Sequence, residues 1–334
     1  MGQAAIERTA FARVGLLGNP SDGYFGRTIS FVLRNFAARV ALTESTRLRI
    51  EPGGPDVDTF DSVEQLVDSV GRQGYYGGAR LVKATIKTFH NYCRAHDVAL
   101  EQRNFTVQYR SSIPRQVGLA GSSAIVTATL RALMAFYEIE VPKEHQPALI
   151  LSAEVDELGI TAGLQDRVAQ VYEGLVYMDF SEELMGEHGH GRYEPLDPAL
   201  LPRLYVAYQI QPAKVSGRVL NDLRSRWEQG DVEVRETLDQ IAALADEGKT
   251  AILEGNSEQL SSLMNANFDL RRRIMAISES DLRMVEAARA LDTCAKLTGS
   301  GGAIVGVCED DDLRQRIVRE LGALGACVIE PEIG

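Results

Sequence analysis

The sequence predicts an α+β protein with two domains. Its 334 residues exceed the usual size of one domain, and 45% hydrophobic with 25% charged residues is a normal globular composition. Met185–Pro202 is rich in Gly, Pro and charge, which is typical of a domain junction. Strands and helices alternate on both sides of it. We therefore place one domain at residues 1–195 and a second at 203–334.

The composition argues against several classes of protein. The formal net charge is −12 and no basic block occurs, so we expect no nucleic-acid partner. We also expect no membrane span or secretory signal, because no apolar run is long enough and the N-terminus has no apolar core. Four scattered cysteines without a CxxC pair indicate reduced thiols and a cytoplasmic location. His188 and His190 form the sole histidine cluster, which we interpret as a solvated loop, with metal binding as the weaker alternative.

The apolar patterns predict the elements of the N-terminal half. The expected strands are Ala12–Leu17, Val40–Glu51, Phe105–Tyr109 and Gly174–Phe180, and Ile29–Leu33 could be a strand or a helix. The expected helices are Ala79–Ala95, which carries apolar residues at spacings of three and four, Ala124–Tyr137, which is apolar nearly all round, and 148–157.

The C-terminal half shows an alternating order of elements. We predict strands at Leu204–Ile210, Ala303–Cys308 and Cys327–Ile329, a long helical stretch over 216–293, and a helix over 311–323. This order predicts a second α+β layer.

A glycine and serine loop, Pro114–Ala124, leads from a strand into the apolar helix. Glycines let the backbone approach an anion closely, and the start of a helix presents unpaired N–H groups, so the loop can hold a phosphate. Ser122 and Ser123 add hydroxyls that can cap the helix or bind Mg²⁺. A simple glycine loop with a serine cap is the alternative. The loop lacks the Gly-Lys-Ser/Thr of a Walker A motif.

Three motifs in the chain resemble those of the GHMP kinases, named after galactokinase, homoserine kinase, mevalonate kinase and phosphomevalonate kinase. They are the Pro114–Ala124 loop, the N-terminal Phe11–Gly18 and the glycine loop Lys296–Ala303. The resemblance implies an N-terminal α/β domain like that of a ribosomal protein, a ferredoxin-like C-terminal domain, and a cleft between them for ATP and acceptor. It also implies a set of ATP-binding residues: Pro114, Gly118, Leu119, Ala120, Gly121, Ser122, Ser123, Ala124, Gly299, Ser300 and Gly301.

The same resemblance assigns roles to charged residues. Ser123 and Glu154 would hold Mg²⁺, although Asp156 or Glu157 could exchange with Glu154. Asp166 would be the catalytic base, and the positive charge of Arg13 would keep it ionised and neutralise charge on the transferred phosphoryl group. The alternative for Arg13 and Asp166 is a structural salt bridge.

The acceptor loop Gly18–Tyr24 departs from the Gly-Glu-His pattern of mevalonate kinases and galactokinases. Ala12–Arg27, Gly163–Val168 and Gly174–Asp179 are instead similar to glucuronokinases, which implies phosphorylation of glucuronate at the anomeric hydroxyl. Asp22 stands where galactokinases hold sugar hydroxyls. The expected acceptor-binding residues are Asp22, Arg27 and Lys214.

A uronate carboxylate needs a cation, and four arginines are candidates: Arg27, Arg72, Arg115 and Arg167. Asn265–Arg273 resembles a helix that lines the acceptor pocket of the family, although its three consecutive arginines could be a solvated face. The partners expected are a sugar and ATP, for a monomer or a homodimer. Another anomeric sugar kinase, for a heptose, octose or fucose-like acceptor, and a non-catalytic sugar sensor are the alternatives.

Overall fold

The computed structural model describes residues 5–51, 78–211 and 218–334. Two candidates of the acceptor site, Arg72 and Lys214, lie outside these residues. Elements are numbered along the described chain. The strands are β1 Ile6–Leu17, β2 Arg27–Ser45, β3 Arg49–Glu51, β4 Asn104–Ser111, β5 Leu175–Asp179, β6 Arg192–Leu196, β7 Leu204–Gln209, β8 Lys296–Leu297, β9 Ala303–Val307 and β10 Ala326–Ile329.

The predicted helices are present, with the long helical stretch divided into four, and two further short helices, Gln165–Tyr172 and Glu182–His188, were not predicted. The helices are α1 Gly78–Ala95, α2 Gly121–Tyr137, α3 Gln146–Val155, α4 Gln165–Tyr172, α5 Glu182–His188, α6 Arg218–Glu228, α7 Val232–Leu253, α8 Ser257–Ile274, α9 Glu279–Arg289 and α10 Asp311–Ala323. Among the described helices none is long and apolar enough to cross a membrane.

Contacts divide the chain into two compact units whose segments interleave. The first comprises the N-terminus up to residue 12 with 36–113 and 121–162, and the second comprises 13–35, 114–120 and 163–334. The domain limits at 195 and 203 stay a prediction.

The first unit packs helices with a small sheet. The C-terminal half of β2 pairs antiparallel with β4, with Val40 opposite Tyr109, and β3 pairs parallel with β4. Helix α1 packs against α2 and α3. Leu130 and Leu133 of α2 are completely buried, or nearly so, which confirms the prediction of a buried helix.

Strand β2 corrects the prediction of two separate elements in this part of the chain. It runs without interruption over 19 residues. The strand stays regular because it changes partner along its length: residues 27–31 pair with β5, and residues 38–45 pair with β4.

The second unit contains a four-stranded antiparallel sheet in the order β10-β7-β9-β8. Numbered along the chain, these strands lie in the order 4-1-3-2. Helices α6 to α9 connect the first two strands and α10 the last two. This is the ferredoxin-like split βαβ arrangement predicted for the C-terminal half. Tyr205, Phe268, Ile304 and Ile317 pack in its core.

The Gly, Pro and charge-rich segment at 185–202 is structured. It contains the end of α5 and strand β6, which pairs antiparallel with β5. Its low apolar content reflects the position of β6 at the end of the sheet, where most of its side chains remain accessible. The cysteines behave as expected of core thiols: Cys93, Cys294 and Cys308 are buried and free.

Candidate active site

The second unit brings two glycine loops of the sequence analysis into backbone contact. Gly118 has a φ of +64°, and a Cβ there would lie 2.8 Å from the carbonyl oxygen of Gly301. A Cβ on Gly299 would lie 2.2 Å from the carbonyl oxygen of Gly118. The Thr298 hydroxyl donates to the same Gly118 oxygen at 3.3 Å. Glycine is required at both positions because any side chain would separate the loops.

In the first loop, two of the predicted ATP-binding residues, Leu119 and Ala120, form hydrogen bonds through their main chain. Leu119 is buried, and its carbonyl accepts from the backbone N–H of Arg13 at 3.2 Å. Ala120 has a φ of +60°, and its carbonyl accepts from the Gln170 side chain at 3.0 Å. Their side chains therefore shape the loop, and only main-chain groups remain to meet a phosphate.

Residues that follow this loop open helix α2 in the first unit. Gly121 is its first residue, and Ser123 and Ala124 are buried. The first N–H groups of an α-helix have no partner within the helix and lie at the positive end of its dipole. The start of α2 can therefore bind an anion, as the sequence predicts.

Arg13, in the second half of β1, joins the predicted base to both glycine loops. Its Nη2 donates to Asp166 Oδ1 at 2.5 Å, and its Nη1 donates to the Thr298 carbonyl at 2.5 Å and to the Gly118 carbonyl at 3.4 Å. Arg13 is only 3% exposed. A buried guanidinium with a fixed fork holds the carboxylate in one orientation.

Asp166 lies in the first turn of α4 and has two cationic neighbours. Arg167 Nη1 is 3.5 Å from Asp166 Oδ2 and donates to the Gly163 carbonyl at 2.8 Å. The Asp166 side chain keeps 19% of its surface accessible. The Asp166 carboxylate is therefore held between two guanidinium groups and is still accessible from solvent.

Asp22 lies in a short 3₁₀ turn and points to the start of α4. It accepts from the Gln165 backbone N–H at 3.2 Å and from the Gln165 side chain at 3.3 Å. Burial and the Asp166 carboxylate raise the pKa of Asp22 to about 6, against the opposing effects of Gln165, Arg13 and Arg167. The structure thus brings Asp22 together with the predicted base.

Arg27 has a different environment. Its Nε lies 2.8 Å from Asp246 Oδ2 on α7, and Tyr177 donates to the other oxygen of the same carboxylate at 2.6 Å. The ion-pair partner of Arg27 is therefore Asp246, rather than Asp22 or Asp166. Its role in binding an acceptor stays a prediction.

The predicted metal ligands lie on two packed helices of the first unit. Ser123 in α2 and Glu154 in α3 are 1% and 0% exposed. A hydroxyl and a carboxylate are oxygen donors of the kind that Mg²⁺ prefers, so the pair fits this ion. Of the two alternatives, Asp156 is exposed, and Glu157 pairs with Lys87 at 2.5 Å.

Three polar residues that the sequence analysis did not assign support loops of the site, two of them at the acceptor loop and one at the C-terminal glycine loop. Asn267 in α8 accepts from the Gly18 N–H at 2.9 Å and donates to the Asn19 carbonyl at 3.1 Å. Lys296 donates to the Gly15 carbonyl at 2.9 Å and to Asn19 Oδ1 at 2.6 Å. Burial, with Arg271 and Arg13 nearby, holds the pKa of Lys296 well below its usual range. Asn267 and Lys296 fix the entry to the Asp22 turn.

The third is Asp281, in the first turn of α9. It accepts from the Gly302 N–H at 2.8 Å and from the Gln209 side chain at 3.3 Å. Ser278 caps the helix by accepting from the Asp281 N–H at 3.1 Å. The Ser-x-x-Asp pattern could have identified this capping box, but it gives no sign of the contact with Gly302.

The interpretation of the three consecutive arginines in α8 as a solvated face is wrong for one of them. Arg272 and Arg273 are exposed, but Arg271 is 4% exposed. The helical period explains the difference, because Arg271 follows the buried Asn267 by four residues and lies on the same face.

The chain matches known proteins over nearly its whole length. The family described as "GHMP kinases N terminal domain" matches residues 80–174, and "GHMP kinases C terminal" matches 249–327. Glucuronokinase 1 of Arabidopsis thaliana is 47% identical over 95% of this chain and 89% of its own, and probable glucuronokinase 2 of the same plant is 46% identical over 98% and 90%.

A solved structure extends the comparison to the fold. Galactokinase of Lactococcus lactis, complexed with galactose, superposes with a TM-score of 0.79 over 99% of this chain and 94% of its own, at 15% identity. The likeness confirms the predicted two-domain α+β fold. Because the sequence matches cover both halves of the chain and the motifs lie where the family carries them, the chain belongs to the GHMP kinases, a family of ATP-dependent phosphotransferases that act on alcohol groups.

Proposed function

We propose that this protein is a sugar 1-kinase that transfers the γ-phosphoryl group of ATP to the anomeric hydroxyl of D-glucuronate. The observation that carries the proposal is the contact of Arg13 with Asp166 and with the carbonyls of Gly118 and Thr298. It ties a carboxylate base to both glycine loops in one unit. The identity of 47% with a protein named glucuronokinase supports the choice of acceptor.

In the proposed reaction, Asp166 accepts the proton of the anomeric hydroxyl of the sugar. The oxygen of that hydroxyl forms a bond to the γ-phosphorus. The bond between that phosphorus and the bridging oxygen of ADP breaks, so glucuronate 1-phosphate and ADP are the products. Arg13 keeps the Asp166 carboxylate oriented and adds positive charge where phosphoryl charge develops. Most of the rate would come from such positioning and electrostatics.

The phosphates of the nucleotide would be held by main-chain groups of the two glycine loops. Ser123 and Glu154 would hold Mg²⁺, which when bound neutralises charge on the β- and γ-phosphates. The residues proposed to bind ATP are Pro114, Gly118, Leu119, Ala120, Gly121, Ser122, Ser123, Ala124, Gly299, Ser300 and Gly301.

Asp22 is proposed to bind acceptor hydroxyls, since its carboxylate lies beside the base and accepts hydrogen bonds from Gln165 alone among the described residues. Arg27 and Lys214 are proposed as further acceptor contacts. A cytoplasmic location and a monomeric or homodimeric state also stay predictions.

The test is ADP release with ATP and Mg²⁺ across glucuronate, galacturonate, glucose, galactose, fucose, a heptose and mevalonate. We expect the highest kcat/KM with glucuronate and a loss of at least about 1,000-fold in kcat for Asp166→Asn. Asp239→Asn, an exposed aspartate of α7, is the matched control and should retain full activity. ATP binding by the Asp166→Asn variant, measured by calorimetry, checks that it is folded.

Turnover with a different sugar in preference to glucuronate would refute the assignment of glucuronate as the acceptor and would support the assignment of kinase activity. ATP binding without turnover of any sugar would refute the kinase and favour a sensor.

A further inference from the structure

One buried cation of the second unit, Arg271, has no acidic side chain paired with it among the described residues. Arg271 in α8 is 4% exposed, and its Nε is buried without a hydrogen-bond partner. None of the described residues forms an ion pair with its guanidinium within 4 Å. A buried charge without a partner is strongly unfavourable, so a protein that keeps one in a binding region points to a ligand that supplies the opposite charge.

Charged groups of both signs surround Arg271, but none of the carboxylates among the described residues forms an ion pair with it within 4 Å. Burial and Arg13 lower the pKa of Arg271 to about 10, and the carboxylates of Asp281 and Asp22 compensate only partly. Lys296, also buried, is close enough to Arg271 for its own pKa to be lowered by it. An anion bound at Arg271 would supply the ion-pair partner that this guanidinium lacks.

The position of Arg271 favours the acceptor side of the site. Asn267, one helical turn earlier on the same face, holds the backbone of Gly18 and Asn19, from which the chain turns to Asp22. The face of α8 that carries Asn267 and Arg271 therefore contacts the start of the acceptor loop through Asn267. At the glycine loop, by contrast, Asp281 already occupies the Gly302 N–H.

Of the four arginines proposed from the sequence, Arg72 lies outside the described residues, and the other three are engaged elsewhere or exposed. Arg27 pairs with Asp246 at 2.8 Å, and Arg167 donates to the Gly163 carbonyl at 2.8 Å. Arg115 is exposed. Arg271, unlike these three arginines, is buried and has no ion-pair partner among the described residues.

We propose that Arg271 is the specificity-determining residue that binds the carboxylate of a uronate acceptor through its guanidinium fork. This inference rests on the proposed function and deepens it. A planar guanidinium can donate two parallel hydrogen bonds to a carboxylate. A neutral sugar with a hydroxymethyl group in that place would leave the cation buried and unpaired, so the enzyme would discriminate against it.

The test compares Arg271→Gln, Arg271→Lys and the parent enzyme with glucuronate and with glucose, which differ at the carboxylate position. We expect Arg271→Gln to lower the ratio of kcat/KM for glucuronate over glucose on the order of 100-fold, with the KM for ATP unchanged within about twofold. Arg271→Lys should keep part of the preference, since it retains the charge and loses the fork. Arg272→Gln, on the exposed side of α8, is the matched control and should leave the ratio unchanged.

A second measurement separates a ligand-binding role from a structural one. In the absence of ligand, Arg271→Gln should unfold at the same urea concentration as the parent or at a higher one, because it removes an uncompensated charge. Glucuronate should raise the thermal midpoint of the parent and not that of the variant.

Several outcomes would overturn the inference. The inference fails if Arg271→Gln leaves the ratio of kcat/KM for glucuronate over glucose unchanged. It also fails if the variant unfolds at a lower urea concentration without ligand. A raised KM for ATP with the ratio preserved would assign Arg271 to a phosphate instead. The parent enzyme tests the proposed function separately: if it phosphorylates glucuronate while the variant keeps its ratio, only this inference fails. If the parent neither binds nor phosphorylates glucuronate, both fail.

Discussion

Asp22 makes the stability of this protein depend on pH in a way that its removal should reveal. Burial and the neighbouring Asp166 raise its pKa from an ordinary 3.8 to about 6. The folded protein therefore prefers the protonated form more than the unfolded chain does. Substitution by asparagine keeps an oxygen that can accept from the Gln165 N–H and removes the ionisation.

The sign and size of the effect follow from the two pKa values. Below pH 3.8 both states are protonated and Asp22 has no effect. Between 3.8 and 6 the unfolded state loses its proton first, so the folded state becomes progressively less stable. Above about 6 the full penalty, about 3 kcal/mol, is present. Between pH 5 and pH 7.5 the penalty grows by about 1 kcal/mol.

The assay is urea unfolding of the parent and of Asp22→Asn at pH 5 and pH 7.5. We expect the variant to gain about 1 kcal/mol relative to the parent between the two conditions. Asp239→Asn, which replaces an exposed aspartate, should show no such gain. An equal difference between Asp22→Asn and the parent at both pH values would refute the reasoning, and so would a larger difference at pH 5.

Further predictions concern the loops, the buried lysine, the metal and the acceptor. Gly118→Ala should lose about 2 kcal/mol in urea unfolding and raise the KM for ATP, because its φ of +64° and its contact with Gly301 admit no side chain. Lys296→Met should lose about 3 kcal/mol in the same assay, because it leaves buried oxygens without a donor. Glu154→Gln should raise the Mg²⁺ concentration for half-maximal activity about tenfold in a metal titration. In a pH series, the KM for glucuronate should rise below about pH 6, because protonated Asp22 is a poorer acceptor of sugar hydroxyls.

Much of the fold could be predicted because local patterns set its elements. The helix over 311–323 and three of the four strands of the C-terminal sheet follow directly from apolar spacing, whereas the two-residue β8 was not predicted. Strand β2 could not be predicted as one element, because its continuity depends on pairing with β5 in one half and β4 in the other. Those partners lie far apart in the sequence, and periodicity carries no information on them.

In the candidate site, the residues that could be predicted are those that belong to short contiguous motifs. The contact of Arg13 with Asp166 agrees with the pairing that the family resemblance implies. Lys296 was given no role of its own, and Arg271 was left between a helix similar to one that lines the acceptor pocket and a solvated face, because a lysine or arginine in a sequence is most often solvated. Only the tertiary structure shows that both are buried. The four-residue spacing of Arg271 from Asn267 predicts that the two side chains share one face of the helix.

The backbone contact between Gly118 and Gly299 also bears on how this protein can vary in evolution. The two residues belong to loops about half the chain apart, yet the structure leaves no room for a Cβ on either. A mutation in one loop can therefore be rescued only by a change in the other, and insertions in the two loops should be inherited as pairs. Chimaeras that take one loop from a relative should be recovered in a genetic selection only when the second loop comes from the same parent.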